Sequence, residues 1–362
     1  MAGALLQIPV IGLSATALVY TLIAAFAGGA FGAAIGALPA FCFTGFAVIA
    51  GEAANAITVT GAGEGIAVSA SGLTGSIGFG MVFGPHVAFA GGAAAAAYAA
   101  KQDGAMPAQE DGGYHPAKDI AYALGTRPDV LAVGGIFGII GATGTLISGG
   151  LTMPWDDIAI MVVISAALHR IAFGYPLIGA DGRDILDMSP FENGEEVAAD
   201  GGSGEVMRPA VEPWLPHQYK WGNVAMIGLV AGLLGGYIAI QTGSPFLGFG
   251  ISAASLTFLN LGVEKIPVTH HMTLPSSTAA LAIFGGVPSG SNQVIAILVA
   301  AVFGILGALV GELVQRIFYA HSDTHFDPPA AAIVVCTFIV AMLAIAGVFE
   351  GSSWVQQLGM FL

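Results

Sequence analysis

Apolar stretches of about twenty residues recur along the whole chain, parted by short polar connections. They fall at roughly 11–31, 34–51, 76–100, 129–151, 156–175, 222–242, 246–264, 270–287, 291–317 and 329–349. Stretches of that length cross a hydrocarbon core about 30 Å thick. A bilayer offers the backbone no hydrogen-bond partners, so such segments must be helices or a closed barrel. The apolar residues run on without period-two alternation, which excludes the barrel. The pattern predicts an all-α polytopic membrane protein of about ten transmembrane helices.

Comparison of the two halves adds a second regularity. Val133 to Ala142 aligns without gaps on Val299 to Ala308, which sets Phe137 on Phe303, Gly138 on Gly304 and Gly141 on Gly307. Asp156 matches Asp327, Gly28-Gly29 matches Gly235-Gly236, and Pro85-His86 meets His270-His271. The first half carries extra residues around 52–75 and 102–128. Five helices are duplicated in this alignment. Because five is odd, the copies enter the membrane from opposite faces. Two inverted five-helix repeats, residues 1–175 and 222–362, are then joined by an acidic cytoplasmic linker at 176–221. Transporters are commonly built this way, with sites near the midplane where the copies meet. The plainer alternative is a duplicated helical scaffold without a path.

Composition agrees with the pattern. With 56% hydrophobic and 9% charged residues, the chain could not cover the surface of a soluble domain. The balance of 23 acidic against 9 basic residues, a net charge of −14, argues against nucleic acid as a partner. The acids crowd two connections, one with Asp103, Glu110, Asp111 and Asp119, the other running from Asp181 through Glu195, Glu196 and Asp200 to Glu212. The pattern resembles the acid-rich faces of proteins from salt-accumulating archaea, and solvated loops are its simplest meaning. Lys101, Lys118, Arg127, Arg170, Arg183, Arg208, Lys220, Lys265 and Arg316 all fall on one side of a ten-crossing chain. The positive-inside bias makes that side cytoplasmic and predicts a multi-pass protein of the cell membrane with both termini outside. No basic region opens the chain, so no cleaved signal peptide is expected. Cys42 and Cys336 lie in apolar segments, where packing rather than a disulfide is expected.

Candidate chemistry concentrates at the third and eighth apolar segments. In the eighth, Thr269-His270-His271-Met272-Thr273-Leu274-Pro275-Ser276-Ser277-Thr278 combines a proline with hydroxyls on both sides. A break at Pro275 would free carbonyls and let Ser276, Ser277 and Thr278 start a new half-helix. Neutral oxygens of that kind suit Na⁺, while a helix N-terminus suits an anionic group. The alternative is that the hydroxyls bond back to the preceding turn. In the third segment, Gly84-Pro85-His86 followed by Gly91-Gly92 permits a similar break, so His86 and His271 form a symmetric pair. Adjacent His270-His271 is poor zinc chemistry. Carboxylates near helices are further candidates: Glu52 with Asn55 after it, and Glu312, which is also placed to pair with Arg316. Asp156, Asp157 and Asp327 open helices, where capping is the expected role. His321 to Pro329 holds the ingredients of a metal loop but also reads as a turn ended by a helix start at Pro328. Gly61-Ala-Gly63-Glu64-Gly65 reads as an external loop, and no nucleophile elbow, phosphate loop, dinucleotide fingerprint or zinc-protease signature is present.

Gly138-x-x-Gly141, Val268 through Pro275, His169-Arg170-Ile-Ala-Phe and His325-Phe-Asp327-Pro328 resemble stretches of the large membrane subunits of the archaeal tetrahydromethanopterin:coenzyme M methyltransferase, a sodium-translocating complex. The resemblance covers scattered pieces, about a third of the chain. It implies a bundle that conducts or couples Na⁺ and associates with copies of itself or with related subunits. No corrinoid-binding module accompanies it, so methyl transfer is not implied. Two expectations follow. The first is an inverted-repeat transporter or ion-coupling subunit, with Na⁺ the preferred ion and no other cofactor. The second is a structural or assembly protein whose glycine faces serve helix and subunit packing within the lipid bilayer.

Overall fold

A computed structural model describes residues 7–59, 72–179, 184–199 and 206–358. Asp181, Arg183, Asp200 and the Gly61 to Gly65 loop lie outside the described residues. The helices are α1 (Ala15–Ile35), α2 (Ala37–Val59), α3 (Ala90–Ala99), α4 (Pro128–Gly150), α5 (Asp157–Phe173), α6 (Ser189–Glu192), α7 (Trp221–Thr242), α8 (Leu247–Asn260), α9 (His270–Ala282), α10 (Asn292–Val314) and α11 (Pro328–Ile345). Wider π-type turns form at Thr74–Gly78, Pro85–Phe89 and Gln315–Ala320. The described strands are a short antiparallel pair in the acidic linker, β1 (Glu196–Ala198) and β2 (Met207–Pro209), with Val197 opposite Arg208.

Local chemistry sets several of the helix ends. Ser14 caps α1 by accepting the Ala17 amide at 3.2 Å, while Asp156 and Asp327 cap α5 and α11. Gly174 and Gly243 close α5 and α7 in the left-handed conformation, at φ 69° and 71°.

Six of these helices are long and apolar enough to cross a membrane: α1, α2, α4, α7, α10 with its π-type extension, and α11. The sequence predicts ten crossings, and six of the described helices are of spanning length on their own. The others are shorter because turns divide the apolar runs: α5 has 17 residues, α8 14, α9 13 and α3 10. At about 1.5 Å per residue, α3, α8 and α9 span only about 15–21 Å, well short of a hydrocarbon core of roughly 30 Å, and α5 is one residue shorter than α11.

The long helices carry small residues inward and large ones outward. On α7 the buried set is Gly228, Ala231, Gly232, Gly235, Gly236 and Ala239 with Val224 and Ile240, while Met226, Val230, Leu234 and Tyr237 are exposed. On α1, Tyr20, Ile23 and Phe31 face out, and Ala25, Gly28, Gly29, Gly32 and Ala33 face in. Water would drive the large side chains inward. Lipid does not, and small residues then let backbones approach.

That approach occurs twice in similar form. In the first half, Gly29 meets the backbone of Gly134 and Gly138, so α1 and α4 touch along their glycines. In the second, Gly228 and Gly232 meet Gly304, joining α7 to α10. A Cβ on Gly141 would overlap the carbonyl oxygen of His86, and one on Gly307 the carbonyl oxygen of His271. Between the halves, Gly45 of α2 packs on the backbone of Gly250 and Ala254 of α8.

Most of the basic residues gather with the polar connections. Lys101 donates to the carbonyl of Phe173 at 2.6 Å, Arg127 to that of Asp103 at 3.0 Å, and Arg316 to that of Leu186 at 2.9 Å. Arg170 donates to the carbonyls of Leu177, Phe318 and Thr324. Backbone bonds from Leu38 to Ile120 and from Glu212 to Ala320, with the ring of His217 on the carbonyl of Ile266, draw the α1–α2 turn, the linker, the end of the α10 extension and the start of α9 to the same end.

Candidate functional site

The sequence places Pro85 and Pro275 in matching segments, but the structure treats them differently. Pro85 opens a short helical stretch after a turn at Phe79–Phe83 and the extended residue Gly84, so the first-half segment is interrupted. Thr44 donates its hydroxyl to the carbonyl of Phe83 at 2.5 Å, satisfying the backbone at that interruption. The expected break at Pro275 is absent: α9 runs unbroken through it. Ser276 donates to the carbonyl of Met272 at 2.6 Å and Thr278 to that of Leu274 at 2.8 Å, bonds within the helix's own turn. Thr273 bonds back to His270 at 3.3 Å, and Ser277 reaches across to the carbonyl of Gly235 at 2.9 Å. These hydroxyls are directed at backbone carbonyls rather than at a common point.

His86 and His271 are each 1% exposed. Neither ring nitrogen of His86 has a hydrogen-bond partner among the described residues, nor does Nδ1 of His271. No ring or hydrogen-bond contact joins the two among the described residues; His271 instead meets Trp214, with ring centres 6.0 Å apart. Glu52 accepts from Thr74 at 2.8 Å and from Asn55 at 3.4 Å. Glu312 pairs with Arg316 at 2.6 Å and accepts from Gln315 at 3.1 Å.

A cavity lies elsewhere, between the halves. It has a volume of about 320 Å³ and is walled by Phe41, Phe79, Pro85 and Phe89 from the first half and by Trp214, Phe246, Phe249, His270, Leu274 and Trp354 from the rest of the chain. Pro85 and His270 therefore do reach one space. Aromatic rings build much of the wall: Phe41 meets Phe89 and Phe249 edge-on at 5.8 Å, and Phe79 meets Phe246 at 5.3 Å. Two carboxylates also line it. Asp156 accepts the amides of Ile158 at 2.8 Å and Ala159 at 3.0 Å, and Asp327 accepts that of Ala330 at 2.8 Å. His325 lies 3.2 Å from the second oxygen of Asp327.

Sequence reasoning identified both aspartates as caps and missed the cavity they share. Its walls come from Phe41, Phe79, Phe246 and Phe249, which in sequence look like any lipid-facing phenylalanine. The metal-loop alternative at His321 to Pro329 does not gather a ligand set. Asp323 pairs with Arg208 at 2.7 Å, Asp327 caps α11, and among the described residues no group of three or more His, Cys, Asp or Glu is arranged for a metal. Cys42 and Cys336 are both free and buried.

Beyond the cavity, at the polar end, Lys118 and Glu212 form a buried ion pair at 2.7 Å, and Arg208 adds a second cation at 3.1 Å from Glu212. Burial pushes Lys118 down to about 8, against the pull of Glu212. Burial opposes ionisation of Asp323 too, but Arg208 beside it holds it below the usual carboxylate range. This cluster ties the first-half loop to the linker and to the turn before α11.

The profile of a family of unknown function (DUF7973) matches residues 11–358. No curated protein and no solved structure matches the chain.

Proposed function

Because the chain belongs to that family of unknown function, we propose from its own geometry that it is an inverted-repeat membrane transporter or ion-coupling subunit, with the cavity between its halves as the site. The carrying observation is that cavity: one space whose wall is drawn from both halves and includes Pro85 and His270. Sites at a repeat boundary are where such transporters bind.

The repeat itself is supported by the contacts that occur twice. Gly141 abuts the carbonyl of His86 as Gly307 abuts that of His271, and Asp156 and Asp327 cap the last helix of each half. Inversion is supported by the gathering of polar ends, since α5 finishes and α7 begins at the basic end. In this reading the four short helices pass with their flanking turns to make ten crossings, and the basic end is cytoplasmic with both termini outside. Na⁺ enters from the family resemblance alone, as a coupling ion and not as the ligand of this cavity, and so does assembly with copies or related subunits. No catalysis is assigned.

A second reading, a packing scaffold, is favoured by the α9 hydroxyls, which are satisfied by backbone carbonyls. One experiment separates the two. Leu274→Cys, in a Cys42→Ser/Cys336→Ser background, is reconstituted in vesicles and exposed to membrane-impermeant maleimide from either side, in NaCl or KCl at equal ionic strength. A path predicts labelling from both sides, with Na⁺ changing the ratio. Labelling from neither side in either salt leaves the scaffold.

A further inference from the structure

The aspartates on the cavity wall differ in what they have left to offer. Asp327 uses both oxygens, one toward His325 and one on the Ala330 amide. Asp156 takes both of its amides on Oδ1, and no described donor meets its Oδ2. The residue is only 6% exposed, and it lines the cavity. No lysine or arginine is among the residues of that wall; its other polar side chains are His270, His325, Tyr319 and the indoles of Trp214 and Trp354. Of the two indoles, Trp354 already donates to Thr278 at 2.9 Å.

We propose that the cavity binds a small organic cation, with an apolar body held among Phe79, Phe246, Phe249 and Trp354 and one ammonium group on Asp156 Oδ2. Each part of the wall selects for that chemistry. A carboxylate oxygen left alone in an apolar space is strongly unfavourable unless it finds a charged or hydrogen-bonding partner. Aromatic faces attract cations, most strongly where water is excluded. A volume of about 320 Å³ falls at the lower end of small-molecule pockets, roughly 300–1,000 Å³. Bare Na⁺ or Ca²⁺ requires a shell of oxygens, which this wall lacks. An anion would meet two carboxylates, and a neutral apolar molecule would leave Asp156 unpaired.

This inference rests on the cavity being the binding site, but not on transport through it. The test is calorimetric titration of the full chain in detergent with 2-phenylethylammonium, against anionic 3-phenylpropionate and neutral ethylbenzene, together with protection of Leu274→Cys from maleimide. The cation should bind at least tenfold more tightly than either comparison molecule and should slow the labelling. Asp156→Asn, which keeps a capping side chain, should weaken cation binding tenfold or more. Asp157→Asn should change it less than twofold, because the neighbouring Asp157 accepts from Ser148 and is not on the wall. Equal binding of the three molecules, no binding of the cation, or an unchanged affinity in Asp156→Asn would overturn the proposal. If Asp156→Asn does not fold, the ranking of the three molecules in wild type decides alone. Cation binding with one-sided Leu274 labelling would keep the inference and remove transport; two-sided labelling without cation binding would do the reverse.

Discussion

Two prolines, one in the third apolar segment and one in the eighth, have opposite effects on the backbone. Pro85 stands at the first position of its helical stretch, where a missing N–H removes nothing, and the chain before it is free to turn. Pro275 stands inside α9, where it deprives the carbonyl of His271 of its usual donor. That carbonyl packs against Gly307, where a Cβ would overlap it, and the helix continues. The His86 carbonyl meets Gly141 in the same manner although its segment is interrupted. The carbonyl-on-glycine contact thus occurs in both halves, while the interruption belongs to one.

The sharpest way to break this comparison is at the glycines. Gly141→Leu and Gly307→Leu should each abolish folding, at a cost above about 4 kcal/mol, because the side chain would occupy the place of a carbonyl. The check is loss of the monodisperse peak in detergent. A stable Gly307→Leu protein beside an unfolded Gly141→Leu would show that the two contacts are not equivalent. A smaller effect tests the interruption. Thr44→Val strands the Phe83 carbonyl and should cost about 1–3 kcal/mol, seen as a fall in Tm of several degrees. Smaller still, Ser277→Ala loses the bond to Gly235 and should cost about 1 kcal/mol, whereas Ser276→Ala, which loses only a bond back to its own helix, should stay within about 0.5 kcal/mol. A large loss in Ser276→Ala, or Na⁺-dependent stabilisation that this variant removes, would return the hydroxyls to an ion site.

The sequence made the membrane class and the long helices legible because lipid demands length and apolarity, and both are visible residue by residue. It blurred α8 and α9. The apolar run at 246–264 continues past Asn260 into a turn, and that at 270–287 past Ala282, so each looked long enough to cross. Aligned glycines were informative because close backbone approach tolerates no other residue at Gly141 or Gly307. Pro275 misled because the consequence of a missing N–H depends on what the orphaned carbonyl meets, and Gly307 lies 32 positions from Pro275 in the chain. The cavity was hidden for a similar reason. Asp156 read correctly as a cap, but only the fold shows that it lines an aromatic space.

The claim that two copies of five crossings enter the membrane from opposite faces is tested most directly by labelling single exposed cysteines. Val10→Cys, Glu196→Cys, Glu264→Cys and Leu358→Cys, each in the Cys42→Ser/Cys336→Ser background, are treated with impermeant maleimide in oriented vesicles. The expected result is Val10 and Leu358 on one face with Glu196 and Glu264 on the other. Glu196 on the face of Val10 would contradict inversion, and Glu264 there would contradict the separate crossings of α8 and α9.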